Sequence, residues 1–126
     1  MKLRIKGNSL RLRVSRSELA TLIESGSIED TIHFAMELNA KFTYALRHEL
    51  TATTVRIEYR PQQVGVVLST QVAERWAASD QVGIYGSSGT CAGALEIVVE
   101  KDFACLDGAN PLDEDAFPNP NAESAC

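Results

Sequence analysis

The sequence lacks the long apolar runs that a membrane-spanning helix requires. No window approaches the roughly 20 consecutive apolar residues that cross a bilayer, although 44% of the 126 residues are hydrophobic. The first residues alternate charged and apolar side chains, which is not the pattern of a secretory signal. We therefore expect a cytoplasmic protein with no membrane partner, and the length suits one compact domain.

Cysteine and histidine are also scarce, with three and two residues respectively. An odd cysteine count argues against a disulfide framework, and cytoplasmic thiols stay reduced. The absence of any CxxC or HxxxH pair excludes a compact zinc finger. No nucleophile, base and orienting group stand at a recognisable spacing, so the sequence favours a non-enzymatic protein over an enzyme.

The charges are separated along the chain, and this matters more than their sum of -5. Residues 1–16 hold six basic residues and no acidic residue. Residues 96–126 hold eight acidic residues and one lysine. One end of the chain is therefore cationic and the other anionic.

The sequence contains an internal repeat of apolar positions. Residues 1–28 align with residues 55–82 without a gap, at a spacing of 54 positions. Few residues are identical, but apolar positions recur, as with Leu12 and Val66. A match of this kind predicts two similar structural units.

Each unit is predicted to begin with a hairpin and a short helix. Gly7-Asn8 is a two-residue turn signal that sets Ile5 opposite Leu10, and Pro61-Gln62 holds the equivalent place in the second unit. Ser15 and Ser69 are predicted helix caps. The expected buried stripes of the two helices are Leu19, Leu22 and Ile23, and Ala73, Trp76 and Ala77.

A second pair of strands is predicted after each helix. In the first unit, a loop at residues 38–40 joins the strands. The expected register opposes Ile32 to Leu46, Phe34 to Tyr44, Met36 to Phe42 and Glu37 to Lys41. It also places His48 near Asp30, where a buried carboxylate–imidazole pair is conceivable.

In the second unit, the corresponding strands are joined by the Gly-rich segment GSSGTCAG, residues 86–93. Successive glycines are typical of phosphate-cradling loops, but this segment lacks the lysine of a P-loop. We therefore interpret it as a flexible hairpin connection. Cys91 within it is expected to be exposed.

These patterns predict a β-rich α+β fold of two pseudo-symmetric hairpin-helix-hairpin units, similar to a swapped-hairpin barrel. The units are placed at residues 1–50 and 55–103 of a single domain spanning 1–105. Residues 106–126 form an acidic, proline- and asparagine-rich tail without apolar periodicity, for which we expect an irregular structure with Phe117 as its large anchor.

The tail offers candidate metal ligands. Cys105, Asp113 and Cys126, with Asp107 and Asp115 nearby, supply thiolate and carboxylate groups for a divalent ion such as zinc. Their spacing matches no compact metal motif. The alternative is an acidic loop without a metal, and no other cofactor is expected.

The first hairpin places like charges opposite each other. Its predicted register sets Arg4 opposite Arg11 and Lys2 opposite Arg13, which costs up to about 1 kcal/mol per pair. Nucleic-acid phosphates would offset this cost. So would the acidic segment from Glu96 onward, if it folds back over the hairpin. Alternatively, the charges serve only to keep a strand face soluble.

Two resemblances follow from these segments. The residues KGNSLRLRVSRSEL, through Gly7, Asn8, Ser9, Leu10, Arg13 and Val14, resemble the opening of AbrB- and MazE-like swapped-hairpin DNA-binding proteins. Over both ends, the LRIKGNSLRLR opening, EKDFACL and FPNP resemble a small bacterial family of unknown function. The first resemblance implies DNA binding, and the second implies no activity.

We therefore predict a non-enzymatic binding module, with nucleic acid as its leading partner. The alternative is a metal- or protein-binding module that uses the tail, with the tail neutralising the basic hairpin. The predicted nucleic-acid-binding residues are Lys2, Arg4, Lys6, Asn8, Arg11 and Arg13. The sequence does not indicate an oligomeric state.

Overall fold

A computed structural model describes residues 1–103, 115 and 117. Two units follow each other along the chain with the same order of elements. The first contains β1 (Lys2–Lys6), β2 (Ser9–Val14), α1 (Arg16–Ser25), β3 (Ser27–His33) and β4 (Lys41–Glu49). The second contains β5 (Arg56–Arg60), β6 (Gln63–Ser69), α2 (Thr70–Ala78), β7 (Gly83–Thr90) and β8 (Gly93–Lys101). The predicted β-rich α+β class is confirmed.

The two units exchange hairpins to build two four-stranded sheets. The first sheet has the order β1-β2-β8-β7, and the second has the order β3-β4-β6-β5. Within each sheet the hairpins are antiparallel, whereas the central pairs β2–β8 and β4–β6 are parallel. If each strand is replaced by its counterpart in the other unit, the order of the first sheet becomes the order of the second sheet read in reverse. Each sheet therefore takes one hairpin from each unit.

The predicted helix caps are present. Ser15 caps α1 by accepting a hydrogen bond from the Glu18 amide, while the Glu18 carboxylate accepts one from the Ser15 amide, which is a complete capping box. Ser69 caps α2. Gly26 ends α1 with φ of 94°, a conformation that glycine adopts without a steric penalty.

The core lies where both sheets meet the two helices. Its side chains come from the inner faces of both sheets and from the predicted helical stripes, so all four hairpins contribute. The largest fully buried core side chains are Trp76, Leu12, Leu22, Leu46, Leu68 and Ile97. Trp76 also donates its indole N–H to the Val82 carbonyl at 3.2 Å. This shared core joins the two units into one body.

The predicted register of the β3–β4 hairpin is wrong by four residues. Ile28 lies opposite Leu46, and Ile32 lies opposite Phe42. The end of α1 sets this register, because the His48 amide donates to the Gly26 carbonyl at 3.1 Å. Phe34, Met36, Leu38 and Glu37 consequently lie in a longer connection between the strands, and the predicted pairs Ile32–Leu46, Phe34–Tyr44, Met36–Phe42 and Glu37–Lys41 do not form.

The Gly-rich segment 86–93 is also mostly strand rather than a flexible connection. Residues 86–90 belong to β7, and only Cys91 and Ala92 form the turn. A Cβ atom on Gly86 would lie 2.9 Å from the Cβ of Val55, so the absence of a side chain permits this close approach. The small residues allow β7 to pack against the chain that leads into β5.

Candidate functional site

The outer face of the first sheet carries the predicted cationic residues. The observed register pairs Lys2 with Arg13 and Arg4 with Arg11, as the sequence predicted. Because side chains alternate along a strand, the apolar residues of β1 and β2 lie on one face of the sheet and the charged ones lie on the other, which points outward. The outward cations are Lys2, Arg4, Lys6, Arg11 and Arg13, which we call the basic face.

The half of the basic face nearest the helices is paired with carboxylates. Arg13 donates its Nε–H to Glu100 Oε1 at 2.7 Å, and Arg11 Nε lies 3.6 Å from the same oxygen. Lys2 Nζ lies 2.7 Å from Asp102 Oδ2. These acids belong to β8 and the residue after it, so they reach the cations from a neighbouring strand rather than by folding over them. This arrangement offsets part of the like-charge repulsion.

The half of the basic face nearest the β1–β2 turn is not paired in the same way. Within the part of the chain that the structure describes, Arg4 and Lys6 have no ion-pair partner. The acidic segment from Glu96 onward, as far as the structure describes it, therefore does not neutralise Arg4. Arg4, Lys6 and Arg11 line a shallow groove of about 190 Å³, with Ser9 and Glu96 at its sides. This end of the basic face is the candidate site.

Asn8, at the β1–β2 turn, forms hydrogen bonds with the start of β8. Its side-chain amide donates to the Ala94 carbonyl at 2.9 Å, and its own carbonyl accepts from the Glu96 amide at 3.1 Å. These bonds fasten the tip of the β1–β2 hairpin to the start of β8. Because these bonds join the β1–β2 hairpin to β8, they fix the relative positions of the strands that line the groove.

The outer face of the second sheet carries basic and acidic residues in nearly equal number, whereas the outer face of the first is mostly basic. Two arginines and two glutamates there form a closed ring of four ion pairs: Arg47, Glu49, Arg56 and Glu58. Their mutual hydrogen bonds raise the pKa of both guanidinium groups and lower the pKa of both carboxyl groups. This ring was not predicted from the sequence, although the spacing of its members at alternate positions on β4 and β5 would have indicated a shared face.

A buried lysine was also missed. Lys101 is 5% exposed, and its Nζ donates to the Ser79 carbonyl at 2.7 Å. It also lies 5.3 Å from the ring centroid of Phe117. Burial lowers the pKa of this amine. The signal was available, because Lys101 has the same strand parity as the inward-facing Ile97 and Val99.

The described residues of the tail dock near the start of α1. Asp115 accepts a hydrogen bond from the Ser17 amide at 3.0 Å and also contacts the Ser17 hydroxyl, and these bonds lower the pKa of Asp115. Phe117 packs against Phe103 with ring centroids 6.0 Å apart, and its amide donates to the Asp102 carbonyl. Phe117 itself therefore packs against the domain, as expected of the predicted anchor.

Most of the predicted metal ligands cannot be located in the structure. Cys105, Asp107, Asp113 and Cys126 lie outside the described residues, so the predicted metal site stays a prediction. Among the described residues, no group of three or more metal-ligating side chains comes together. Cys91 is an exposed free cysteine, as expected.

The predicted pairing of His48 with Asp30 is wrong. His48 Nδ1 lies 2.8 Å from Thr70 Oγ1, and its Nε2 lies 3.1 Å from the Leu22 carbonyl. Asp30 instead binds the amino group of Met1. The cause is the shifted register of β3, which places Asp30 opposite Tyr44 rather than beside His48.

Within residues 1–103, neither helix has the length and apolar content needed to cross a membrane. A family model described as a family of unknown function, DUF7009, matches residues 1–121. No match was found among curated proteins or solved structures. The comparisons give no support to the likeness to AbrB- and MazE-like proteins, but they confirm the predicted relation to a family of unknown function. The chain belongs to DUF7009, a family of unknown function.

Proposed function

We propose that this protein is a non-enzymatic binding module whose basic face contacts the phosphate backbone of a nucleic acid. The observation that carries the proposal is the groove at the turn end of the basic face. There Arg4, Lys6 and Arg11 converge on one side of a sheet, and the first two have no acidic partner in the described part of the chain. Phosphate oxygens provide the negatively charged partners that Arg4 and Lys6 lack among the described residues.

The acidic residues of β8 and of the position after it limit the strength of this interaction. Glu100 and Asp102 already pair with Lys2, Arg11 and Arg13, and the whole chain carries a net charge of -5. Because these charges repel a polyanion, binding depends on the local field of the groove and weakens steeply with salt. We expect backbone contact without sequence specificity, since phosphates carry no base information.

The proposal is tested by fluorescence anisotropy with a labelled DNA duplex over a range of salt concentrations. The double substitution Arg4→Ala/Lys6→Ala is expected to reduce the slope of log affinity against log salt by about two units, one for each lost phosphate contact. The matched control, Arg60→Ala/Arg75→Ala, removes the same charge from exposed residues elsewhere and should leave the slope unchanged.

A third variant tests the acidic strand. Glu100→Gln releases Arg13 and Arg11 from their shared carboxylate, so DNA affinity at fixed salt should rise. If the parent protein shows no salt-dependent binding, or if both double variants weaken it equally, the basic face is not a phosphate-binding site. In that case, its charges serve only the solubility of the strand face.

A further inference from the structure

Tyr85, on β7, is an exposed aromatic residue on the same side of the first sheet as the basic face. The preceding residue, Ile84, is buried in the core, so side-chain alternation along the strand turns Tyr85 outward. Tyr85 is 65% exposed. It therefore presents an aromatic surface to any molecule that lies along the outer face of this sheet.

The register of the strands connects Tyr85 to the candidate groove. Tyr85 lies opposite Val98 of β8, which is one of the residues that line the groove. Val98 lies beside Arg11 of β2, and Arg11 lies opposite Arg4 of β1. One row of outward side chains therefore crosses all four strands, with cations toward one edge and the aromatic ring at the other. Since neighbouring strands are about 4.8 Å apart, the backbone of Tyr85 lies roughly 10 Å from that of Arg11.

Small residues around Tyr85 leave its ring open. A Cβ atom on Gly83 would lie 3.3 Å from the Tyr85 hydroxyl oxygen, so the ring extends along the strand above Gly83 rather than away from the sheet. The other outward positions of β7 are occupied by Ser87 and Gly89. No outward neighbour on this edge strand is larger than serine, so β7 leaves one face of the ring free for stacking.

The charges on this side of the sheet are divided between its two halves. The basic face occupies β1 and β2, whereas the outward residues of β7 are uncharged. Between them, Glu96 and Glu100 of β8 lie on either side of Val98 in the same outward alternation. The glutamates repel phosphates from the middle of the sheet, but an uncharged base can pass above Val98. A nucleic-acid strand on this surface therefore keeps its backbone on β1 and β2 and turns its bases toward β7.

We propose that this side of the first sheet binds single-stranded nucleic acid, with phosphates on Arg4, Lys6 and Arg11 and a base stacked on Tyr85. The inference rests on the proposed function, because the phosphate contacts are the same. It adds the class of nucleic acid, since the bases of a duplex are stacked on each other and cannot reach a side chain without being flipped out. Stacking on an aromatic ring tolerates any base sequence, because every base has a π face.

Fluorescence anisotropy with a short labelled oligothymidylate and a labelled DNA duplex tests the proposal. Tyr85→Ala should weaken binding of the single strand by about fivefold or more, the contribution of one stacked base, and should leave binding of the duplex unchanged. Tyr85→Phe keeps the ring and should bind as the parent does. The matched control is Tyr59→Ala, which removes a 77% exposed tyrosine from the edge strand of the second sheet and should change neither affinity.

A second probe needs no variant that could fail to fold. A strand with the same phosphates but abasic sites in place of thymines should bind the parent more weakly than the oligothymidylate, whereas Tyr85→Ala should bind both strands equally. Equal binding of the two strands by the parent overturns the stacking proposal, as does equal weakening by Tyr85→Ala and Tyr59→Ala. Either result leaves the phosphate contacts standing if Arg4→Ala/Lys6→Ala still lowers the single-strand salt slope by about 0.7 unit per lost contact. An unchanged slope for single strand and duplex alike overturns the proposed function as well.

Discussion

Val67 is fully buried although its side chain points away from the main core. It lies on the outer face of β6, with Arg47 on one neighbouring strand and Arg56 on the other, each directly opposite it. The aliphatic stems of two arginines held in the ion-pair ring shield it from water. Ion pairs this exposed to water contribute little to stability by themselves. The ring therefore stabilises the sheet chiefly by fixing the arginine stems over Val67.

The amino group of Met1 is held between two carboxylates. It lies 3.0 Å from Asp30 Oδ2 and also contacts Glu18. Burial acts to lower the pKa of this amine, but the hydrogen bonds and charges of Glu18 and Asp30 outweigh burial and raise it. Because the pKa of the amine is higher in the folded chain, its ion pairs stabilise the fold fully at pH values below about 8, the pKa of the amine in the unfolded chain. This stabilisation is lost as the pH rises through the pKa of the amine in the folded chain.

We predict that Asp30→Asn lowers the free energy of unfolding by up to about 1 kcal/mol at neutral pH, since the pair is partly exposed. The difference from the parent should shrink as the pH rises above about 8, because the amine loses its charge. Urea denaturation across this range measures both effects. A difference that does not change with pH, or an equal effect of the exposed control Glu29→Gln, would contradict the pairing.

At the scale of the elements, local signals predicted the first hairpin and the helix caps correctly. Gly7-Asn8 set the first register, and Ser15 with Glu18 set the start of α1. The register of β3 could not be predicted in the same way. It depends on a hydrogen bond from His48 to Gly26, residues that are distant in sequence. Alternation alone permits any shift of an even number of residues, because each such shift keeps the same face inward.

The parallel strand pairs were also beyond sequence reasoning. β2 pairs with β8 through residues as far apart as Leu12 and Val99. Both strands carry alternating apolar residues, but such a pattern does not predict which other strand will pair with them. The candidate site was therefore only half predictable. The cations were visible in the first hairpin, whereas the position of Glu100 beside Arg13 depends on this pairing.

The contacts of Phe117 with Phe103 and Lys101 are expected to stabilise the fold. Phe117→Ala should lower the free energy of unfolding by about 1–3 kcal/mol, because it removes the packing on Phe103 and the contact with the Lys101 amine. Leu50→Ala, at an exposed position, should change it by less than about 0.5 kcal/mol. Urea denaturation of both variants provides the comparison. Equal effects would mean that the Phe117 contacts do not stabilise the fold.

For the whole molecule, the exchange of hairpins makes each unit incomplete. A unit alone would hold two separate hairpins, and an isolated hairpin is marginally stable in water. We predict that the fragments 1–51 and 52–126 are each without cooperative thermal unfolding when separate, and that mixing them restores it. Circular dichroism measures this directly. A fragment that unfolds cooperatively as a monomer would show that its unit is self-sufficient.

The pairing of β2 with β8 also bears on how the chain folds during synthesis. Arg13 and its partner Glu100 are 87 residues apart, so the first sheet cannot close until β8 has left the ribosome. Until then, the apolar side of the first hairpin has no neighbouring strand and is exposed to other nascent chains. Contacts between such distant segments also slow folding, because a large loop must close before they form. We expect the basic residues on the other side of that hairpin to repel a second copy of it, and so to reduce aggregation until β8 is available.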